Sequence, residues 1–334
     1  MPDLAALHRE VHARPDADDA RLVLADALLA AGDPRGELIA LQLADAGGGT
    51  ARGIDRIERL LREHGKRWLG PLREFTYRAQ FARGFVRRLE LDGRWTASDA
   101  GWARHADEPA LATIEDLLPG RAVGDVYARF VASPALAALR RIEVFDRPTL
   151  AALRATPARL THVACPRWKA GSYVRELTAH VLPACERFAE LRSFAVHLDG
   201  VPAVLASRVL PRLRALTVAG GLAHGLTLWP RLPAATSLTI ARTAMLDACT
   251  ASRVAWPGEL ELVRAPDGGV IGRGAGAWLV GKIVQHFAAL PAGVRRLEIA
   301  GAGVHGPALA DLARRRGIEL ALVALPRRTG YVRS

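Results

Sequence analysis

The period of apolar and polar positions changes near residue 86, and the chain reads differently on either side. Upstream the spacing is helical. Asp3 can cap a helix running to about Ala13, and Pro15-Asp16-Ala17-Asp18 ends it and supplies carboxylates to cap the next. The second helix sets Leu22, Ala25, Leu28 and Leu29 at helical spacing, which predicts one apolar, buried face. Its end is legible residue by residue: Gly32 suits a left-handed C′ position, Asp33 the N-cap of the following helix and Pro34 its first turn. A third helix passes through Leu38, Ile39, Leu41 and Gln42 to the break Gly47-Gly48-Gly49. A fourth, near Ile54 to His64, turns Ile54, Ile57, Leu60 and Leu61 inward and its arginines outward.

Downstream, short segments of L-x-x-L-x-L form recur, beginning at Val86, Leu139, Leu191, Leu213 and Val294. Their middle apolar residues run Leu89, Ile142, Val163, Phe194, Leu216, Leu238, Leu260, Leu297 and Leu320. From Phe194 to Leu260 the step is 22 residues three times over, within the range of roughly 20–29 for leucine-rich repeats. The long gap after Leu89 leaves room for a degenerate repeat around Ile114, and the wider steps later leave room for helices at Tyr173 to Phe188 and Ala277 to Leu290. Each such unit buries its apolar face only by stacking on a neighbour. The usual asparagine after the strand is absent, and Gly93, Asp199, Gly220 and Gly301 stand near that turn. The expected fold class is α/β. A short helical module over residues 1–80 precedes an irregular leucine-rich-repeat-like solenoid over 81–325, with parallel strands on its concave face, and a basic tail over 326–334.

The helical part carries a resemblance. The runs Arg21-Leu22-Val23-Leu24-Ala25-Asp26-Ala27-Leu28 and Gly32-Asp33-Pro34-Arg35-Gly36-Glu37-Leu38-Ile39, followed by Gln42, resemble the bacterial repeat-companion domain. His64, Trp68-Leu69-Gly70-Pro71-Leu72 and Arg83-Gly84-Phe85-Val86 are similar to its later part, so the likeness covers about residues 3–90. Ala27 stands where that family usually has Trp. The resemblance implies a helical module ahead of leucine-rich-repeat-like segments, and it implies no particular activity.

Composition narrows the classes. The chain is 50% apolar and 24% charged, a folded rather than a disordered balance. No run approaches 18 apolar residues and the start lacks a basic, then apolar, leader, so a cytoplasmic protein without a membrane partner is expected. Cys165, Cys185 and Cys249 form no C-x-x-C pair and read as small core residues. The net charge of +12 is unevenly spread. Residues 1–51 carry 4 Arg and 9 acids, residues 52–88 carry 11 basic and 4 acidic side chains, and residues 314–334 carry 6 Arg against Glu319. Arginine outnumbers lysine 43 to 3, a bias that a GC-rich genome also produces.

Candidate chemistry is sparse. Gly272-Arg273-Gly274-Ala275-Gly276-Ala277 fits G-x-G-x-x-A, yet it reads as a repeat-to-repeat loop with no strand before it and no later acid for a ribose. His8 and His12 lie one helical turn apart with no evident third ligand, so no metal or cofactor is called for. Arg21, Asp26, Asp33, Arg35 and Glu37 are the densest polar group; pairs such as Arg21 with Asp26 would brace the helical hairpin, and a catalytic role would need carboxylates facing one cleft.

Strand alternation predicts a concave face of Arg88, Glu90, Asp92, Arg141, Glu143, Phe145, His162, Ser193, His197, Thr217, Ser237, Thr239, Glu259, Glu261, Arg296, Glu298 and Glu319. That face is mixed in charge rather than basic, which favours a protein partner. The expectation is therefore a non-enzymatic interaction scaffold or regulatory subunit. The alternative is nucleic-acid association through the two arginine-rich segments, which are expected at opposite ends of the solenoid.

Overall fold

The computed structural model describes residues 3–45, 51–92, 108–120, 124–165, 172–241, 260–275, 277–301, 303–323 and 331–333. It contains two compact units, residues 1–160 with 328–334, and residues 161–327.

The first unit opens with α1 (Leu4–Ala13), capped where Asp3 accepts the Ala6 N–H at 3.1 Å. In α2 (Asp18–Ala30) the buried face is Ala20, Arg21, Leu24, Ala25 and Leu28, while Leu22 and Leu29 are 51% and 48% exposed. This corrects the face expected from the sequence. The helix is leucine-rich on more than one side, and its orientation is set by α1 residue Val11, by Ile39 and by Phe85, which share its core cluster. Gly32 takes the left-handed φ of 72°, and the Asp33 N–H returns to Leu28 O at 2.9 Å, closing the helix. Then α3 (Pro34–Asp45) starts with Asp33 Oδ1 accepting the Arg35 N–H at 2.8 Å. Helix α4 (Ala51–Trp68) follows and buries Ile57, Leu60, Leu61 and Trp68.

A helical turn at Gly70–Phe75 leads into β1 (Thr76–Ala82) and β2 (Phe85–Leu91), an antiparallel hairpin. Its two turn residues, Arg83 and Gly84, have φ of 52° and 78°, the left-handed pair that a two-residue hairpin turn requires. A boundary at residue 80 would fall inside β1. Strand β3 (Asp116–Leu118) occupies the gap around Ile114 and pairs in parallel with β2 and with β4 (Arg141–Glu143). Two helices, α5 (Gly124–Ala132) and α6 (Arg147–Ala155), pack on each other. The buried Tyr127 of α5 donates to Leu117 O at 2.9 Å and accepts the Glu143 N–H at 2.7 Å, joining β3 to the end of β4.

In the second unit, β5 (His162–Cys165), β6 (Ser193–His197), β7 (Ala215–Ala219) and β8 (Ser237–Ala241) form a parallel run. Val163, Phe194, Leu216 and Leu238 sit side by side in it, all buried. Helices α7 (Ser172–Cys185), α8 (Val201–Leu205) and α9 (Leu222–Leu226) lie between these strands in sequence. The next strand, β9 (Leu260–Arg264), reverses direction and is antiparallel to both β8 and β10 (Val270–Ala275). The third 22-residue step is therefore not a parallel repeat. Strand β10 also replaces the loop expected over the glycine run: Gly272 leaves space that Leu297 fills, since a Cβ there would lie 2.6 Å from Leu297 Cδ2. After α10 (Ala277–Gln285), β11 (Val294–Ala300), α11 (Gly306–Arg315) and β12 (Glu319–Val323) return to parallel pairing.

The chain ends back in the first unit, where β13 (Tyr331–Arg333) pairs antiparallel with β1, Arg333 opposite Arg78, and packs against α4. The arginine-rich segment over 52–88 and the end of the tail thus meet in one unit, contrary to the expectation of opposite ends. Strand β1 is thus flanked by antiparallel partners on both sides, β2 on one and β13 on the other.

Cys165 and Cys185 are buried, and burial pushes the Cys185 thiol up to about 12; Cys249 lies outside the described residues. Among the described residues, no helix is long and apolar enough to cross a membrane.

Candidate functional site

The polar residues of the helical module are spent mainly on holding the module together. Arg35 donates from Nε to Gly84 O at 3.1 Å and lays its guanidinium 4.4 Å from the centre of the Phe85 ring. Burial pulls its pKa down to about 10. Gly36 lets α3 approach α2, because a Cβ there would meet Ala25 O at 2.6 Å. Glu37 accepts two bonds of 2.6 Å from Arg56, which hold its carboxyl below the usual range. Arg21 is buried and bonds Ala17 O, with Asp18 at 3.9 Å; it does not reach Asp26, which is exposed. Asp33 lies 3.7 Å from Arg67, and Glu37 is held by Arg56. His8 and His12 instead stand edge-on to Phe85, and burial depresses both, His12 to about 4.

On the sheet face of the first unit, Arg88 lies beside Asp116 and Asp116 beside Arg141. Arg141 pairs with Asp116 at 3.4 Å, while Arg88 and Arg78 each approach Glu90 to 3.8 Å. Arg88, Arg141 and Glu143 are 2%, 8% and 2% exposed, so this group is an internal charge cluster with little surface to offer. Phe145 is half-buried with its ring 5.7 Å from that of Tyr127.

The sheet face of the second unit is more accessible and changes character along its length. At one side His162 and Ser193 share a hydrogen bond of 2.7 Å, and His197 lies 3.1 Å from Asp199. Ser193 beside an imidazole is a nucleophile–base pairing that the sequence did not reveal. The serine is 5% exposed, however, and its own N–H is already given to Thr161 O, leaving it unable to hold an oxyanion. Ala164, Ala195 and Ala219 form a flat buried patch beside it, and Thr217 and Thr239 follow in register. The face then becomes a charge ladder. Glu261, Arg273 and Glu298 are adjacent in register, with Arg273 at 2.9 Å from Glu298 and 4.0 Å from Glu261. Arg296 joins Glu298 at 3.1 Å to Glu319 at 3.7 Å. Burial raises the Glu261 pKa against the opposing pull of Arg273.

Arg273 was missed because the glycines around it read as a loop. Alternation in Val270-Ile271-Gly272-Arg273-Gly274 was the available signal. With Gly272 and Gly274 paired to β9 and β11, the motif is strand backbone rather than a phosphate cradle. Glu259 lies outside the described residues. At the β12 edge a groove of ≈ 500 Å³ is lined by apolar groups including Ile299, Pro307, Leu320 and Leu322, and it brings no titratable side chains together.

Comparison with known proteins finds no match to any family model, to any curated protein or to any solved structure.

Proposed function

We propose that this chain is a non-enzymatic protein-interaction scaffold or regulatory subunit. In this reading a repeat-companion-type module precedes a leucine-rich-repeat-like solenoid, and the strand face of the second unit holds a protein partner. One observation carries the reading: the arginines on the strand faces, Arg78, Arg88, Arg141, Arg273 and Arg296, each pair with a carboxylate. Guanidinium groups neutralised in this way have little charge left for a phosphate backbone, whose binding depends on releasing counterions. An alternating ladder of half-buried acids and bases suits the polar, charge-complementary surface of a folded protein.

The test is affinity capture from native lysate at near-physiological salt, comparing the wild-type chain with Arg273→Glu and with Glu298→Arg. Arg141 and Glu143 are unsuited to it, because reversing a buried charge destabilises the fold itself. The reading expects a protein captured by the wild type and lost from both variants while their melting curves stay cooperative. Retention of every captured protein by both variants would refute it.

A further inference from the structure

Helix α4 presents a cationic face that the fold leaves open. Ile57, Leu60, Leu61 and Trp68 are buried, which fixes the opposite side of the helix outward. Arg52, Arg59, Arg62 and Lys66 all lie exposed on that outer side. Arg52, Arg59 and Lys66 recur every seven residues, about 10 Å apart along the axis, with Arg62 between the last two. None of the four makes an ion pair among the described residues. The two cations on the flank of this face are occupied, Arg56 by Glu37 and Arg67, at 3.7 Å, by Asp33. Asp55 and Glu63 share the face and Glu58 borders it one turn before Arg62, so four cations stand against three carboxylates. Strand β13 packs against the same helix, bringing the end of the second arginine-rich segment to the first.

We infer that the outer face of α4 binds the phosphate backbone of nucleic acid without reading its sequence. This is a second surface, in a different unit from the face proposed for the protein partner. Charge complementarity favours a polyanion, and the burial of the apolar side of α4 favours nucleic acid over a lipid surface. A helix that lies in a bilayer interface needs its apolar face free.

The test measures binding of the full chain to a labelled duplex of about 20 base pairs and arbitrary sequence, between about 50 and 200 mM salt. Three proteins are compared: the wild type, a variant with Arg52, Arg59, Arg62 and Lys66 all changed to Gln, and a variant with the exposed Arg147, Arg208, Arg214 and Arg231 changed to Gln. The last two lose equal charge. For the wild type, log K is expected to fall against log salt with a slope of about −2 to −4, as for two to four phosphates neutralised. The α4 variant should bind at least about tenfold more weakly at low salt with a flatter slope, and the other variant should stay within about threefold of wild type. No wild-type binding at the lowest salt, equal losses in the two variants, or binding to phosphatidylserine vesicles but not to the duplex would each overturn the inference.

Discussion

The side-chain amide of Gln42 clamps the backbone of Gly84: Oε1 accepts the Gly84 N–H at 2.8 Å, and Nε2 donates to Phe81 O at 3.1 Å. Together with the Arg35 bond to Gly84 O, this ties α3 to the tip of the β1–β2 hairpin. Two parts of the module 42 residues apart are thus joined through one turn. Gln42→Ala leaves the Gly84 N–H and Phe81 O without partners and should cost about 1–3 kcal/mol, read as a lower urea midpoint with unchanged slope. Gln42→Glu keeps the acceptor but not the donor, and should retain part of the stability.

Gly84 itself admits no side chain. Its φ of 78° disfavours any L-residue, and a Cβ there would overlap Ile39 Cγ1. Gly84→Ala should cost about 1–2 kcal/mol from the backbone and a further 1–3 kcal/mol from overpacking. The second part should shrink in an Ile39→Ala background. Equal costs of Gly84→Ala in the two backgrounds would show that the contact with Ile39 is not what excludes the side chain.

Tyr127 bridges β3 and β4 in the first unit. Its hydroxyl serves Leu117 O and the Glu143 N–H, and the side chain is fully buried, with burial holding its pKa well above the usual phenol range. Tyr127→Phe keeps the ring against Phe145 and removes both bonds. A loss of about 1–3 kcal/mol in denaturant unfolding is expected, with hydrogen exchange at Glu143 accelerated.

The module should weaken in mild acid. Burial, with His8 and Arg35 adding repulsion, lowers His12 from 6.5 to about 4, and His8 is lowered as well. The folded state therefore resists protons that the unfolded chain takes up readily. Stability is full above about 6.5 and declines as the pH falls toward about 4. His12→Gln should flatten that decline in a pH series of melting temperatures, and an unchanged slope would contradict the burial of His12.

In the ladder, Arg273 holds Glu261 and Glu298 side by side. Glu261 already titrates above its usual range because it is half-buried, so its charged form costs stability as the pH rises through its folded pKa. Arg273→Gln removes the compensating charge, and should destabilise most at neutral pH and least in acid, where Glu261 takes up its proton. Adding Glu261→Gln should restore stability at neutral pH. A pH-independent loss would mean that Arg273 acts by packing alone.

Local chemistry made several features legible in advance. The Asp3 cap, the Gly32-Asp33-Pro34 turn, the inward set of α4 and the shared level of Phe194, Leu216 and Leu238 each follow from spacing over a few residues or from one repeat length. Strand register sets Arg88, Asp116 and Arg141 side by side, but the exposure of such residues did not follow from alternation. Arg88, Arg141 and Glu143 are nearly inaccessible, with Arg141 paired to Asp116 and Arg88 approaching Glu90.

What the sequence by itself determined is where the chain caps, turns and alternates, because these depend on each residue's own backbone preferences and its neighbours within one turn or one strand. Only the tertiary structure decided which face of α2 is buried, that β9 runs against β8, and that β13 returns to β1. Period two marks a strand without giving its direction or its partner. Those are set by contacts between segments distant in sequence, such as Leu297 filling the space at Gly272 and Gln42 meeting Gly84.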